Sequence, residues 1–219
     1  TKVRDLGIRD FLTKAKAEGK IKYACFSFHD NYDTFIDIID SYDWDMCQIQ
    51  FNYMDIENQA TQKGLEYAGK KGIPVVIMEG LLGGKLAKAP DNVQALYDAF
   101  PVKRSPVEWA FRWLCNHPEV ATVLSGVTSM EQCDDNLSIF DRCKVGVMTE
   151  AEEELIARVR EAYKSRTKVG CTGCRYCMPC PNGVDIPRIF AIWNNRFLYN
   201  EKLEGNGEYK RLCDEGHGA

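Results

Sequence analysis

The chain has 219 residues, of which 45% are hydrophobic and 27% are charged, and its formal net charge is −4. This composition is that of an ordinary globular protein and excludes an intrinsically disordered chain. No apolar stretch approaches the roughly 20 residues of a membrane-spanning helix, and no run of Lys or Arg indicates a nucleic-acid surface. We therefore expect a folded protein that binds neither a membrane nor a nucleic acid.

Ten cysteines are the unusual feature of the composition. Four of them crowd into residues 171–180, and thiols at this density would scramble under oxidation, so the pattern favours a reducing compartment, the cytoplasm. The others are mostly scattered, and a small buried apolar side chain is the expected role of a scattered cysteine. This expectation covers five positions: Cys25, Cys47, Cys115, Cys133 and Cys143.

Helix and strand patterns alternate from residue 6 to residue 140. Helices are predicted over 6–20, 33–42, 58–72, 105–118 and 129–140, and short apolar strands over 21–28, 46–53, 73–80 and 120–126. Gly19 and Gly72 supply helix ends, and Ser105 followed by Pro106 supplies a helix start. Residues 85–103 follow a glycine-rich stretch and carry charges and aromatic residues without a recognisable motif.

Strands that alternate with helices, without hairpin signals, indicate a parallel sheet with right-handed crossovers. The strands are apolar throughout, which is typical of strands buried on both faces. A doubly wound sheet normally carries a GxGxxG turn after its first strand, and this sequence has none, so a (β/α)₈ barrel fits better. Four βα units make half of such a barrel. Its free sheet edges and apolar face would be covered by a homodimer or by the missing barrel half.

The composition changes after a further helix predicted over 148–167, in which Thr149 and Glu152 have capping-box spacing. Residues 169–187 are rich in turn residues and cysteine, and an amphipathic helix follows over 188–200. We therefore predict a boundary near residue 167. It separates a barrel half over 1–167 from a small α-helical, ferredoxin-like segment over 168–219, which we expect to be incomplete.

The run C-x₂-C-x₂-C-x₂-C-P, formed by Cys171, Cys174, Cys177, Cys180 and Pro181, points to a metal site. Short loops bring neighbouring thiolates around one inorganic centre, and ferredoxin-type [4Fe–4S] sites use a related run with x₃ before the last cysteine. Structural zinc sites set their two C-x-x-C pairs a dozen or more residues apart. The spacing favours a [4Fe–4S] cluster, with a zinc staple and plain packing cysteines as the alternatives.

Several stretches resemble the aldo/keto reductases, in particular the bacterial branch with a C-terminal ferredoxin-like [4Fe–4S] domain. The matching stretches are GKIKYACFSFHD (19–30), DWDMCQIQFNYMD (43–55), KGIPVVIMEGLLGGKLA (71–87), RSPVEWAFRWLCNHPEVATVLSG (104–126), MEQCDDN (130–136) and CTGCRYCMPCPNGVDIPRIF (171–190). The resemblance implies an NAD(P)H-dependent oxidoreductase that reduces a small carbonyl substrate. It also implies that this chain supplies the second half of the barrel and a cluster segment.

The resemblance further implies which residues hold NAD(P)H. They are polar or glycine positions where apolar strands end, which is where such barrels place their sites. By match to the family motifs, Ser27 and Gln48 would hold the nicotinamide carboxamide, the backbone of Gly83, Gly84 and Lys85 would lie beside the pyrophosphate, and Asn136 would contact the adenine.

Four positions depart from the family pattern. Phe28 replaces the usual Asn beside the nicotinamide serine, and Met78 replaces the stacking aromatic residue. The Lys and Arg that commonly bind a 2′-phosphate align with Gly126 and Gln132. Without those two cations the preference for NADP over NAD is open, and a flavin or no dinucleotide remains an alternative.

No catalytic residue is assigned, because the family's catalytic Tyr, Lys, Asp and His belong to the first four βα units. We therefore expect the chain to be an internal or C-terminal piece of a longer reductase whose cluster exchanges electrons with a redox partner protein. The alternative function is a non-catalytic electron-transfer or scaffold module that is held together by a cluster or by zinc.

Overall fold

A computed structural model describes residues 6–200 and 207–218 of the chain. The strands are β1 (Cys25–Phe28), β2 (Met46–Gln50), β3 (Val75–Met78) and β4 (Val120–Val123). The helices are α1 (Ile8–Ala17), α2 (Tyr32–Ile39), α3 (Thr61–Lys70), α4 (Asp91–Ala99), α5 (Pro106–Cys115), α6 (Met130–Phe140), α7 (Glu150–Lys164), α8 (Ile186–Leu198) and α9 (Gly207–Asp214). The predicted elements are confirmed with shorter bounds, except that α8 has the predicted length and begins two residues earlier, at Ile186. Helices α4 and α9 were not predicted.

The four strands form one parallel sheet in the order β1-β2-β3-β4, as predicted for successive βα units. Ser27 lies opposite Gln48 in the register, and Gln48 lies opposite Val76. The pairing of β3 with β4 shifts by one residue between Val75 and Val76. The carboxyl ends of all four strands therefore meet at one edge of the sheet.

One face of the sheet is covered by helices. Phe28 of β1 packs against Phe35 of α2 with ring centroids 5.1 Å apart, and both side chains are buried. A Cβ atom at Gly64 of α3 would lie 3.1 Å from the Phe35 ring, so the glycine lets α3 approach α2 closely. Ile49 and Ile77, on the same face of β2 and β3, are fully buried. Apolar burial against the helices thus fixes this side of the sheet.

The opposite face is open at the edge strands. Ser27 of β1 and Thr122 of β4 are exposed on it, so the prediction of strands buried on both faces is wrong for these two strands, whereas Gln50 of β2 is buried there. The two cysteines of β1 and β2 show the difference. Cys47 faces the helices, and burial raises the pKa of its thiol to about 12. Cys25 falls on the open face and is exposed, so its predicted burial is wrong.

The chain forms two compact units, divided after residues 84, 106 and 150. The first contains the sheet with α1, α2, α3, α6 and nearly all of α5. The second contains 85–106 and the chain from 151 onward, and therefore α4, α8, α9 and nearly all of α7. Residues 85–103 thus hold a helix that belongs with the C-terminal helices. The predicted domain boundary near residue 167 stays a prediction.

Polar contacts hold the second unit together internally. Asn92 of α4 donates from Nδ2 to the Ala162 carbonyl of α7 at 3.1 Å, and Arg104 pairs with the buried Glu152. Arg166 donates to the Phe197 carbonyl at 2.6 Å, which ties the end of α7 to α8. Across the described ranges of the chain, no helix is long and apolar enough to cross a membrane.

Candidate functional site

A cavity of about 380 Å³ opens between the loops that follow β3 and β4. It lies at the carboxyl ends of parallel strands, where α/β proteins build their binding sites. Its lining is mostly glycine, backbone and small side chains: Glu79, Gly80, Leu81, Gly83, Gly84, Leu124, Ser125 and Gly126. Two of the predicted pyrophosphate positions, Gly83 and Gly84, are therefore part of one cavity.

The loop after β3 is folded tightly by left-handed backbone. Glu79, Leu82, Gly83 and Gly84 have φ angles of 56°, 51°, 63° and 87°. The Leu82 amide donates to the Glu79 carbonyl at 2.8 Å, and the Gly84 amide donates to the Leu81 carbonyl at 2.9 Å. A Cβ atom at Gly83 or Gly84 would meet no protein atom within 4 Å. The space beside these glycines is therefore free for a bound group.

A buried amide holds this loop in place. Asn52, which follows β2, is 0% exposed and donates from Nδ2 to the Glu79 carbonyl at 3.2 Å. Its Oδ1 accepts hydrogen bonds from the amides of Met54 and Asp55 at 3.0 and 3.1 Å. Glu79 has left-handed backbone that costs free energy in a non-glycine residue, so this fixed partner stabilises the start of the loop. The sequence shows Asn52 only as a polar residue after a strand.

Ser27 and Gln48, the predicted nicotinamide ligands, are brought together on the open face of the sheet. They are register partners, with Ser27 exposed and Gln48 half-buried. Gln48 donates from Nε2 to the Met78 sulfur at 3.4 Å. Met78 stands where the family has an aromatic residue, so here a thioether orients the Gln48 amide across the sheet.

Asn136 reaches the cavity through Ser125. The Asn136 side chain on α6 donates from Nδ2 to Ser125 Oγ at 3.0 Å, and Ser125 lines the cavity. Helix α6 is fixed at its start by Ser129, whose Oγ accepts from the Gln132 amide at 3.3 Å. The predicted adenine contact thus lies beside the same cavity as the two glycines. Sequence reasoning missed Ser125, whose signal is a hydroxyl directly before Gly126 at a strand end.

The structure shows what the side chains contact at the positions that depart from the family pattern. Phe28 packs into the helix layer and is 2% exposed, so it does not act as a polar ligand. Gln132 accepts from the Thr128 amide at 2.9 Å through Oε1, so its side chain shapes its own loop. The cavity lining within the described chain includes no Lys or Arg. Lys85 belongs to the second unit, where its Nζ lies 5.5 Å from the centroid of the Tyr199 ring.

The cysteine run lies on an exposed loop between α7 and α8. Cys171, Cys174 and Cys177 are exposed and Cys180 is half-buried. Within residues 6–200 and 207–218, no three Cys, His, Asp or Glu side chains stand together as a metal site. The structure therefore does not bring the predicted ligands together, and their metal role stays a prediction.

Both ends of this cysteine loop are nevertheless fixed by the C-terminal helices and their flanks. Asn194 of α8 accepts at Oδ1 from the amides of Lys168 and Val169 at 3.0 and 2.9 Å, and donates to the Val169 carbonyl at 2.8 Å. The Nδ1 atom of His217 lies 3.1 Å from the Gly183 carbonyl oxygen. The loop thus spans two anchored points, which the sequence pattern did not reveal.

The sulfur atoms themselves have the chemistry of metal ligands. The Gly173 amide donates to the Cys171 sulfur at 3.4 Å. Hydrogen bonds from the Tyr176 backbone and the Thr172 hydroxyl lower the pKa of the Cys174 thiol. The thiolate is the form that binds metals. Four thiols in this order fit the donor set of an iron–sulfur cluster or of zinc, although they do not form a ligand set in this conformation.

Comparison with known proteins identifies the family. Residues 5–156 match the sequence model of the aldo/keto reductase family. The chain belongs to the aldo/keto reductases. No curated protein sequence matches it.

Solved aldo/keto reductases share the fold. The holo form of an aldo-keto reductase from Bacillus halodurans is 20% identical, with a TM-score of 0.58 over 69% of this chain and 54% of that protein. An aldo-keto reductase from Klebsiella pneumoniae in complex with NADPH is 18% identical, with a TM-score of 0.51 over 68% of this chain and 51% of that protein. The chain thus spans about half the length of the aldo/keto reductase structures that it matches.

Proposed function

We propose that this chain forms the dinucleotide-binding part of an NAD(P)H-dependent oxidoreductase that reduces a small carbonyl compound. The observation that carries the proposal is the cavity at the ends of β3 and β4, in which Gly83, Gly84 and Ser125 come together beside Asn136. The aldo-keto reductase from Klebsiella pneumoniae was solved in complex with NADPH, which supports the choice of ligand.

The chemical groups that these residues present match the groups of NAD(P)H that they would contact. The free space beside Gly83 and Gly84 lets a pyrophosphate approach the backbone, which needs glycine because any Cβ would occupy that space. The Ser27 hydroxyl and the Gln48 amide supply a donor and an acceptor for a carboxamide on the open face. Asn136 presents a half-buried amide for the adenine edge. NAD(P)H supplies the hydride when it is bound.

A titration with NADPH tests this function. Tryptophan fluorescence or calorimetry of the whole chain should report saturable binding, and NADH should compete because no cation lines the cavity to select a 2′-phosphate. Gly84→Ala should weaken binding, since its Cβ would enter the free space. Gly72→Ala is the matched control, because Gly72 also has left-handed backbone and open surroundings but lies at the end of α3. Equal affinity for the Gly84 and Gly72 variants would contradict the site.

Pairing with a second sheet follows from the same proposal. Each of the edge strands β1 and β4 pairs with one neighbour, and exposed apolar side chains extend from β4 along α6: Leu124, Val127, Met130 and Leu137. We expect the chain to form a homodimer or to bind a complementary barrel half. A monodisperse monomer in light scattering would contradict this.

Since no catalytic acid is assigned, the chain alone should show little carbonyl reduction, and robust turnover would contradict that assignment.

We also propose that Cys171, Cys174, Cys177 and Cys180 hold a [4Fe–4S] cluster in the loaded protein. The support is four thiols on one loop with anchored ends, followed by Pro181. The loop is exposed, which suits electron exchange with a redox partner protein in the cytoplasm. Anaerobic reconstitution with iron and sulfide should give the broad absorption of a [4Fe–4S] centre. Stoichiometric zinc binding without such a spectrum would favour the scaffold alternative.

A further inference from the structure

Two cysteines far apart in the sequence come together in the first unit. Cys115 is the last residue of α5, and Cys143 follows α6. Both side chains line one small cavity, and hydrogen bonding between the two thiols shifts the pKa of each. Both side chains are half-buried, as is that of Cys133, so the predicted burial is wrong for these three cysteines. Only the fold reveals the contact, because nothing in the sequence spacing links these positions.

The elements that carry the two thiols are fixed against each other. The rings of Phe111 in α5 and Phe140 in α6 pack with centroids 4.8 Å apart. The segment after Cys143 returns to the end of α5, where Asn116 accepts from the Met148 amide at 3.0 Å through Oδ1 and from the Gly146 amide at 3.4 Å through its carbonyl. The thiol pair is therefore held in contact by its surroundings.

A small cavity gives access to the pair. Its volume is about 170 Å³, and both thiols line it together with Thr122, Phe140 and Lys144. None of its lining residues lines the larger cavity at the ends of β3 and β4. The space is too small for a dinucleotide and large enough for a small oxidant such as hydrogen peroxide. The site is thus separate from the proposed cofactor site.

The electrostatic surroundings distinguish the two sulfurs. The hydrogen bond from Cys115 lowers the pKa of the Cys143 thiol, and Arg112 and Arg142 add to this effect while burial and Glu108 oppose it. The same hydrogen bond, together with burial, raises the pKa of Cys115. Cys143 is therefore the more acidic of the two sulfurs and forms the thiolate, which is the reactive form, more readily than Cys115.

We propose that Cys115 and Cys143 form a peroxide-reactive dithiol, in which Cys143 is the attacking sulfur and Cys115 the resolving one. The Cys143 thiolate attacks one oxygen of hydrogen peroxide, the O–O bond breaks, and a sulfenic acid and hydroxide form. The Cys115 thiol then attacks the sulfenic sulfur, which forms the disulfide and releases water. Peroxide is reduced by two electrons and the thiol pair is oxidised by two electrons. A dithiol reductant reverses the change.

Peptide mapping of the whole chain tests the site. The protein is treated with one equivalent of hydrogen peroxide, free thiols are alkylated, and digestion with trypsin and glutamyl endopeptidase places Cys115, Cys133 and Cys143 on separate peptides. We expect the disulfide-linked peptides of Cys115 and Cys143, which separate again after dithiothreitol. Their absence at a peroxide level that oxidises Cys133, or preferential pairing of Cys143 with Cys133, would overturn the proposal.

Variants assign the two roles. Cys115→Ser should leave a sulfenic acid at Cys143 that dimedone traps, because the resolving sulfur is gone. Cys143→Ser should slow oxidation of Cys115 at least tenfold, while the matched control Cys133→Ser should form the disulfide at the rate of the unaltered chain. Trapping at Cys115 in place of Cys143 would overturn the assignment. Circular dichroism checks the fold, and if Cys143→Ser is unfolded, the unaltered chain and Cys115→Ser still decide the outcome.

Discussion

Residues at the strand ends and residues in the cysteine loop were both predicted as candidate sites. The structure brings the strand-end residues together, but it does not bring the cysteines together. At the strand ends, Gly83, Gly84 and Ser125 line one cavity, and Asn136 donates a hydrogen bond to Ser125. In the cysteine loop, three of the predicted ligands are exposed and Cys180 is half-buried, and the four do not stand together as a ligand set. The polypeptide fold by itself therefore forms the cavity at the strand ends, but it does not form a ligand set from the four cysteines.

The reason lies in what holds each region. The strand ends are positioned by backbone pairing and by a covered face on which Ile49, Ile77 and Phe35 are fully buried. Between residues 164 and 191, by contrast, no described side chain is buried. Such a segment gains little free energy from folding by itself, and in the proposed function the cluster supplies what apolar burial does not. The anchors from Asn194 and His217 restrict the loop ends but do not bring the sulfurs together.

The largest expected effect is on the covered face. Phe35→Ala should destabilise the first unit by about 3–5 kcal/mol, because it removes a fully buried ring from between β1 and α3. Urea unfolding followed by circular dichroism measures this change. Phe11→Ala in α1 is the control, since Phe11 is 63% exposed and its loss should cost less than about 0.5 kcal/mol. Equal losses for the two variants would show that packing at Phe35 does not hold the sheet.

A smaller effect is expected at the anchor of the cavity. Asn52→Ala removes the side-chain hydrogen bonds to the Glu79 carbonyl and to the amides of Met54 and Asp55, and should destabilise the unit by about 1–3 kcal/mol. NADPH binding should weaken as well, because the loop that carries Gly83 and Gly84 loses its support. Asn136→Ala should weaken binding with a smaller change in the free energy of unfolding, because Asn136 is only half-buried. Unchanged NADPH affinity in Asn52→Ala would show that NADPH binding does not depend on the support that Asn52 gives to this loop.

The smallest effect is the acid sensitivity of a half-buried ion pair between Lys16 and Asp45. The hydrogen bond from Lys16, followed by that from the Ala24 amide, lowers the pKa of Asp45. The carboxylate therefore stabilises the folded chain above its unfolded pKa of about 3.9, and this contribution is lost as the pH falls through the lower folded pKa. Asp45→Asn should make unfolding less dependent on pH below about 4. An unchanged pH profile of urea midpoints would contradict the contribution.

The sequence was most informative where periodicity and pairing decide the outcome. The four strands follow from apolar runs and helix end signals, since parallel pairing leaves little freedom. Ser27 and Gln48 were assigned from the resemblance to the family, and the structure adds that they are register partners. The open face, the buried Asn52 and the contact between Cys115 and Cys143 did not follow. They depend on which side chains meet after folding. Helix α4 was missed because residues 85–103 carry turn residues and mixed charges without a clear apolar stripe.

The central claim is that the cysteine loop receives its order from an iron–sulfur cluster, while the strand ends are ordered by packing. The most direct test measures iron, acid-labile sulfide and zinc per chain in anaerobically purified protein. The account predicts iron and sulfide in equal amounts, about four of each per chain. In Cys174→Ala both should fall, and proteolysis between α7 and α8 should accelerate. Zinc without sulfide would contradict this account. The absence of both iron and zinc from protein whose cysteine loop resists protease would contradict it as well.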